Sequence, residues 1–187
     1  PKKIRAHYRA WRERKDCYGE MEQFDGSYHD WFEGRLLDSS GKALEEACLL
    51  AAIDDATGKL TKLKFDAGEG IIPVDTFWKE YTETLGKPLK IYLDRGSTYK
   101  VNNKHLFDDP TVLTQFERTM EEINVKIIHA CSPQGKGRVE RLFKTLQDRL
   151  VKELRLAGIS TIEAANEFLE KIFIPKFNAK FSVVPKK

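Results

Sequence analysis

The protein is a chain of 187 residues, of which 41% are hydrophobic and 33% charged, with a net charge of +3. These values fit one globular domain with a sizeable core. No run approaches the ~18 consecutive apolar residues of a membrane span, and the start does not resemble a signal peptide. Cys17, Cys48 and Cys131 are far apart and have no metal-ligand spacing, so we predict reduced cytoplasmic thiols rather than a zinc site.

The basic residues are concentrated in two stretches of the chain. Residues 1–15 carry seven Lys or Arg and one acidic residue, and residues 136–155 carry seven and three. Clustered Lys and Arg are typical of proteins that bind phosphate groups. A solvated surface would explain either stretch equally well, so the net charge alone does not decide between the two interpretations.

Three strands are predicted in the first third of the chain. Residues 20–32 mix aromatic and polar residues, which predicts a half-exposed strand with a possible bulge at Gly26. Residues 44–53 are almost continuously apolar, which indicates a central strand buried on both faces. Asp54 and Asp55 open a hairpin turn, although one of them could lie near a metal site, and residues 60–65 form the return strand.

The middle third alternates between helices and strands. An apolar stripe with three-and-four spacing over residues 74–85 predicts a helix that ends at the following Gly-Lys-Pro segment. Residues 89–93 alternate in polarity as a strand does. Asp109 followed by Pro110 predicts the start of a second helix. Residues 125–130 form the fifth predicted strand.

The last third is predicted to be helical. A periodic apolar stripe over residues 139–154 indicates one long helix. Ser160 and Glu163 have capping-box spacing and predict the start of a further helix, which Pro175 ends or interrupts. The tail over residues 177–187 is expected to be loosely held.

The predicted elements follow one another as three strands and then as helices that alternate with strands. This order predicts an α/β fold with a mixed five-stranded sheet flanked by helices. It is also the order of elements in the ribonuclease H-like fold. No internal repeat interrupts it.

Three acidic residues stand in settings that suit metal-dependent chemistry on DNA. Asp25 and Asp94 follow strand-like runs and have a Gly close behind, and Glu140 lies in the first turn or two of a helix. Phosphodiester chemistry uses Mg²⁺ ions held by a few carboxylates. Taken alone, each Asp is more typical of a turn, and Glu140 could form an ion pair with Lys136 or Lys144. The pattern by itself leaves both interpretations open.

A family resemblance favours the catalytic interpretation. Residues 132–141, Ser-Pro-Gln-Gly-Lys-Gly-Arg-Val-Glu-Arg, resemble the segment that carries the catalytic Glu in bacterial insertion-sequence transposases. Residues 93–99 resemble the second-Asp segment of that family, and residues 24–27 resemble its first. The resemblance covers roughly residues 18–181. It implies a ribonuclease H-like catalytic core of the kind shared with retroviral-type integrases.

The resemblance also implies a mechanism and a set of site residues. Asp25, Asp94 and Glu140 would be the catalytic residues and the ligands of two Mg²⁺ or Mn²⁺ ions during DNA cleavage and strand transfer. The implied partners are the DNA of the element ends and of the target, together with further copies of the protein, and no membrane. The residues expected to contact DNA are Gln134, Lys136, Arg138, Arg141 and Lys144.

The same resemblance sets expected boundaries. Because the chain begins at Pro1 without a Met, we expect a piece of something longer. Residues 1–17 would be a basic linker from a missing N-terminal domain, residues 18–181 the catalytic core, and residues 182–187 a tail. The expected location is the bacterial cytoplasm, with action at the nucleoid.

One departure and two alternatives remain. The interval between Asp94 and Glu140 is longer than in most of the family, with extra residues around 101–109, which we interpret as a surface insertion. If the insertion displaced the helix, Glu121 or Glu122 would replace Glu140. The alternatives are a nuclease of the same fold that only cuts DNA, and a non-catalytic DNA-binding or assembly module derived from a transposase.

Overall fold

The computed structural model describes residues 13–37, 40–66, 68–93, 115–129 and 137–187. The elements are β1 (Glu22–His29), β2 (Ala47–Asp54), β3 (Leu60–Asp66), α1 (Ile71–Leu85), β4 (Lys90–Leu93), α2 (Gln115–Glu122), β5 (Lys126–His129), α3 (Gly137–Leu156), α4 (Ile162–Phe168), a π-helical turn (Leu169–Phe173) and α5 (Ile174–Phe181). The predicted order of elements is confirmed. None of the helices in these ranges is long and apolar enough to cross a membrane.

Several predictions concern residues outside the described ranges. They are the first twelve residues of the basic linker, Cys131, Asp94, the insertion around 101–109, the helix start at Asp109 and Pro110, and the loop residues Gln134 and Lys136.

The five strands form one mixed sheet in the order β3-β2-β1-β4-β5. The first three strands in sequence are antiparallel neighbours, whereas β4 runs parallel to both β1 and β5. All eight residues of β2 are buried, because this strand lies inside the sheet and both of its faces are covered. The predicted mixed five-stranded sheet is therefore confirmed.

Two hydrophobic cores lie on opposite faces of the sheet. Alternate residues of a strand point to opposite faces, and Leu49 and Ala51 accordingly lie in the core that α3, α4 and α5 cover. Cys48 and Leu50 lie in the other core, beneath α1 and α2. Asp25 pairs directly with Ala51 in the β1–β2 ladder. The side chain of Asp25 therefore belongs to the α3 face.

The bulge predicted at Gly26 is wrong. Gly26 pairs with Leu50 in an unbroken β1–β2 register, and the irregularity in the sheet lies between Ala52 and Ile53 of β2 instead. A Cβ added to Gly26 would meet the side chain of Glu69. A larger residue at this position would therefore require the Glu69 side chain to move.

The capping box predicted at Ser160 is also wrong by one residue. Thr161 is the N-cap of α4, and its Oγ1 accepts a hydrogen bond of 3.3 Å from the backbone of Ala164. Pro175 does not end the helical segment. It interrupts it instead, because the regular α-helix gives way to the π-helical turn directly before α5, in whose first turn Pro175 lies.

The C-terminal residues are held more firmly than predicted. The Asn178 side chain donates to the carbonyl of Leu60 and accepts from its N–H, both at 2.8 Å, and thereby covers part of the edge strand β3. The backbone N–H of Val183 donates to the carbonyl of Thr57 at 2.9 Å. These bonds fasten the tail to the edge of the sheet and to the β2–β3 turn.

Candidate active site

The pairing of β1 with β4 positions the first predicted acid. Glu22 is opposite Ile91, and Gln23 is opposite Tyr92. Asp25 follows two residues later at mid-strand, half-buried on the α3 face. Asp94 is the residue directly after the end of β4 and lies outside the described residues, so its place in the site stays a prediction.

Glu140 lies in the first turn of α3, as predicted. Its neighbour Val139 is completely buried, whereas the Glu140 side chain is exposed. Helix α3 packs against β1, on the face that carries Asp25. The first turn of this helix therefore presents a solvent-accessible carboxylate above the same face of the sheet.

The fallback acids Glu121 and Glu122 lie at the other end of the sheet. They are exposed residues at the end of α2, just before β5 begins. The first residue of β5 pairs with Lys90, the first residue of β4. In the β1–β4 register, Lys90 lies four residues before the position of Asp25, which is about 13 Å along the strand. The longer Asp94–Glu140 interval has therefore not moved these acids towards Asp25.

Asp54 and Asp55 form the β2–β3 turn, as predicted, and both are buried. Oδ1 of Asp54 accepts from the backbone and hydroxyl of Thr57 at 2.7 and 2.5 Å, and its Oδ2 accepts from the backbone of Gly19 at 3.0 Å. These donors are fixed parts of the fold. The Asp54 carboxylate is therefore a structural group that closes the turn.

Asp55 joins the turn to β1 and α3. Its Oδ1 accepts a hydrogen bond of 2.7 Å from Nε2 of Gln23 and forms an ion pair with Nη1 of Arg138. The same Nη1 donates to the Asp55 carbonyl at 2.9 Å. Arg138 was predicted to contact DNA, yet its guanidinium is engaged with a buried carboxylate.

The remaining described residues of the predicted DNA-binding set lie on the surface of α3. Lys144 is exposed. Arg141 is also exposed, and its Nε donates to the carbonyl of Gly137 at 2.6 Å. Both side chains share the outer side of the helix with Glu140, which suits contact with a phosphate backbone.

Glu22 is a buried acid that the sequence did not single out. Its carboxyl is 0% exposed, and Oε2 accepts a hydrogen bond of 2.6 Å from the hydroxyl of Thr61. Burial raises the pKa of Glu22 to about 8, and the hydrogen bond from Thr61 acts in the opposite direction. Alternation along β1 turns Glu22 to the α1 face, away from Asp25.

Two further residues near the end of the parallel strands were not predicted. The side chain of Glu69 lies against Gly26, the residue after Asp25. A glycine within a strand can indicate such a close neighbour, and this was the signal in the sequence. Nε2 of His129 lies 2.6 Å from Oε1 of Glu117. His129 pairs with Leu93, the last residue of β4, so this contact lies at the carboxyl end of the parallel strands.

Two bacterial transposases are similar to nearly the whole chain. A putative transposase, y4bF, of Sinorhizobium fredii (strain NBRC 101917 / NGR234) is 39% identical over 184 residues, which are 98% of this chain and 38% of the relative. The transposase for insertion sequence IS1202 of Streptococcus pneumoniae is 34% identical over 97% of this chain and 36% of its own length. The chain thus spans less than two-fifths of either relative. No family model matches it.

Solved integrase structures share the fold. The simian T-cell lymphotropic virus intasome, in complex with the PP2A regulatory subunit B56 gamma, matches with a TM-score of 0.63 and 14% identity over 86% of this chain and 51% of that chain. The HTLV-2 integrase catalytic core domain in complex with magnesium matches with a TM-score of 0.56 and 16% identity over 82% and 86%. The predicted ribonuclease H-like fold is confirmed. The chain thus has the fold of integrase catalytic cores and is similar in sequence to a segment of bacterial transposases.

Proposed function

We propose that this chain carries the active site of a DNA transposase, which cuts DNA at the ends of a mobile element and joins them to target DNA. The β1–β4 register is the observation that carries the proposal. Gln23 and Tyr92 form a pair, and Asp25 and Asp94 each follow two positions later. If the parallel register continues, both carboxylates come to one face of the sheet.

Glu140 would complete the set of three acids. It is an exposed carboxylate in the first turn of a helix that packs on β1. Within the described ranges, the structure gives Glu140 no ion pair with the lysines of its own helix. Lys136, the other lysine that could pair with Glu140, lies outside the described residues.

The donor atoms available suit a hard divalent cation. Asp25, Asp94 and Glu140 would supply carboxylate oxygens, which are the ligands that Mg²⁺ and Mn²⁺ prefer. The buried acids of the β2–β3 turn are unsuitable because their oxygens already accept fixed hydrogen bonds. Two bound ions would lower the pKa of water and stabilise charge on the phosphate oxygens.

The proposed reaction has two steps on the same site. In the first, water attacks the phosphodiester at the element end, the bond from phosphorus to the 3′-oxygen breaks, and a 3′-hydroxyl is released. In the second, that hydroxyl attacks a target phosphodiester and displaces the 3′-oxygen of the target strand. The protein would hold both DNA molecules so that the attacking and leaving oxygens are in line.

DNA is the proposed partner, and the outer side of α3 is its proposed contact surface. Arg141 and Lys144 are exposed there, and Gln134 and Lys136 precede them in the sequence. Contacts from such side chains to phosphates position the duplex but do not read its sequence. We further propose that several copies assemble on the DNA, in the bacterial cytoplasm.

The proposed boundaries are those expected from the sequence. Residues 18–181 would form the catalytic core, residues 1–17 a basic linker and residues 182–187 a tail. The hydrogen bond from the backbone of Lys187 to the carbonyl of Asp16, at 3.1 Å, ties the ends of the described chain together. The tail and residue 16, near the end of the linker, would therefore be held together.

A cleavage and strand-transfer assay tests the proposal. The chain, and any longer protein that contains it, would be incubated with labelled DNA from both flanks of its gene. We expect cut and joined products with Mg²⁺ or Mn²⁺ and none after chelation. Glu140→Gln and Asp94→Asn should yield neither product. Glu121→Gln, an exposed acid at the far end of the sheet, is the matched control and should yield both.

Each of the other outcomes would indicate a different function. Cutting without joined products would show a nuclease of the same fold. DNA binding without cutting, in a wild-type protein that is folded and supplied with metal, would show a non-catalytic assembly module. Turnover retained in Glu140→Gln would exclude Glu140 as a metal ligand and direct attention to Glu121 and Glu122.

A further inference from the structure

We propose that Gln23, Asp55 and Arg138 form a positioning network that sets the first turn of α3 over β1 and thereby places Glu140. The inference rests on the proposed function, since it concerns the same acids. It assigns to Arg138 a role other than DNA contact, and it gives a role in the reaction to Asp55, a residue of the β2–β3 turn.

Asp55 is the centre of this network. Its side chain is 0% exposed, whereas that of Arg138 is 18% exposed. The carboxylate accepts from Nε2 of Gln23 at 2.7 Å, from the backbone of Lys15 at 2.9 Å and from Nη1 of Arg138. The backbone N–H of Asp55 donates to the carbonyl of Met21 at 2.9 Å. Asp55 thus joins its own turn to β1, to α3 and to the segment that contains Lys15.

On both β1 and α3, the network residue lies two positions before one of the proposed catalytic acids. Gln23 precedes Asp25 by two residues on β1, so both side chains lie on the α3 face. Arg138 precedes Glu140 by two residues in the first turn of α3. Residues two apart on a helix point in different directions. Arg138 therefore does not touch Glu140 but sets the rotation and height of the turn that carries it.

A polar contact to the rest of the fold can fix the first turn of a helix before its buried stripe begins. Gly137, the first residue of α3, has open space around the position of a Cβ. The buried stripe of α3 begins at Val139. The two hydrogen bonds from Arg138 to Asp55 fasten this turn to the hairpin. A displacement of a reacting group by about 1 Å can slow a reaction by about 100-fold.

The network and a DNA contact predict different results for Asp55. A phosphate contact needs only Arg138, whereas the network needs its buried partner as well. Arg138→Gln, Asp55→Asn and the double variant would be compared in single-turnover cleavage across Mg²⁺ concentrations. DNA affinity would be measured across salt concentrations in parallel. Arg155→Gln is the matched control, because Arg155 also joins α3 to another segment, through Glu33 at 2.8 Å, but at the exposed far end of the helix.

We expect each single variant to cut more slowly, by up to about 100-fold, and to need more Mg²⁺ for half-maximal rate, because Glu140 would be misplaced. The double variant should be no slower than the slower single variant, because both substitutions break one unit. DNA affinity and its salt dependence should stay at the wild-type values. The control should cut at the wild-type rate. Each rate would be measured without denaturant and at a temperature where the variant is fully folded, so that a loss of stability does not lower the measured rate.

Three results would overturn the network. The first is a wild-type rate and Mg²⁺ requirement in Arg138→Gln or Asp55→Asn. The second is a loss of DNA affinity in Arg138→Gln that Asp55→Asn does not share, since it would make Arg138 a phosphate contact. The third is unchanged amide hydrogen exchange at residues 137–141 in Arg138→Gln, which needs no activity. A wild-type protein that never cuts DNA would overturn the proposed function, while the exchange measurement would still decide whether Arg138 holds the turn.

Discussion

Two pairs of acids in this protein look alike in the sequence and differ in the structure. Asp54 and Asp55 lie at the end of β2 and are 0% and 1% exposed. Asp25 is half-buried at mid-strand, and Glu140 is exposed on α3. The oxygens of the first pair accept hydrogen bonds from backbone groups and from the side chains of Thr57, Gln23 and Arg138. The second pair lies where solvent, cations and DNA can reach.

The difference shows how one residue type serves two purposes. A buried carboxylate is tolerated only when donors around it replace the lost water, and such donors leave its oxygens no capacity for a metal ion. A carboxylate at the margin of a core keeps part of its hydration and can exchange that water for Mg²⁺. Substitution of Asp54 should therefore lower stability and spare catalysis, whereas substitution of Asp25 or Glu140 should do the reverse.

The largest expected effect is on catalysis. Asp25→Asn should slow DNA cleavage by more than about 100-fold, since a direct ligand should matter more than the partners that orient it. The free energy of unfolding, measured by urea denaturation, should change less than it does on substitution of Asp54. Cleavage by Asp25→Asn at the wild-type rate would place the reaction elsewhere.

A further acid, Glu22, extends the comparison to a carboxyl that is buried with few donors. Its pKa is raised to about 8 by burial, so the unfolded chain loses this proton at lower pH than the folded protein does. The stabilising effect of the neutral form is complete below about pH 4.3, the usual pKa of a free Glu. This stabilisation is lost as the pH rises towards 8, and above that pH the contribution of Glu22 to the free energy of unfolding no longer changes.

Glu22→Gln should remove that part of the pH dependence. Wild type should lose about 4 kcal/mol relative to the variant between pH 4.5 and 8. Urea denaturation of both proteins at several pH values measures the difference, in which the other titrating groups cancel. A constant difference would mean that Glu22 is already ionised in the folded protein at low pH.

Asp54→Ala should destabilise the fold without touching the chemistry. The substitution leaves three donors without their acceptor, two on Thr57 and one on Gly19, and should lower the free energy of unfolding by about 3 kcal/mol. Cleavage per folded molecule should stay near wild type. A loss of activity as large as that in Asp25→Asn would erase the distinction between the two pairs.

The smallest expected effect is on DNA affinity. Lys144→Gln removes one exposed charge from the outer side of α3 and should reduce the slope of log affinity against log salt by about 1. The loss of affinity should be similar for all DNA sequences, because phosphate contacts do not read bases. A loss confined to one sequence would show that Lys144 reaches a base edge.

The sequence by itself determined the layout of this protein. Mixed aromatic and polar residues predicted β1, polarity with a period of two predicted β4, a continuous apolar run predicted the buried β2, and three-and-four spacing predicted α1 and α3. Such patterns are local, because each strand or helix must turn its apolar side to a core. The resemblance of three short segments predicted the three acids and the likeness to transposases in the same way, from residues close together in the chain.

Only the tertiary structure decided which groups meet. Arg138 and Asp55 are 83 positions apart, and no local pattern distinguishes an Arg paired with a buried carboxylate from one exposed to DNA. The close approach of Glu69 to Gly26, the pairing of Asn178 with the edge of β3 and the raised pKa of Glu22 likewise depend on distant segments. The physical reason is that burial and the supply of donors are properties of the assembled layers, whereas the sequence shows only which groups are available to be placed there.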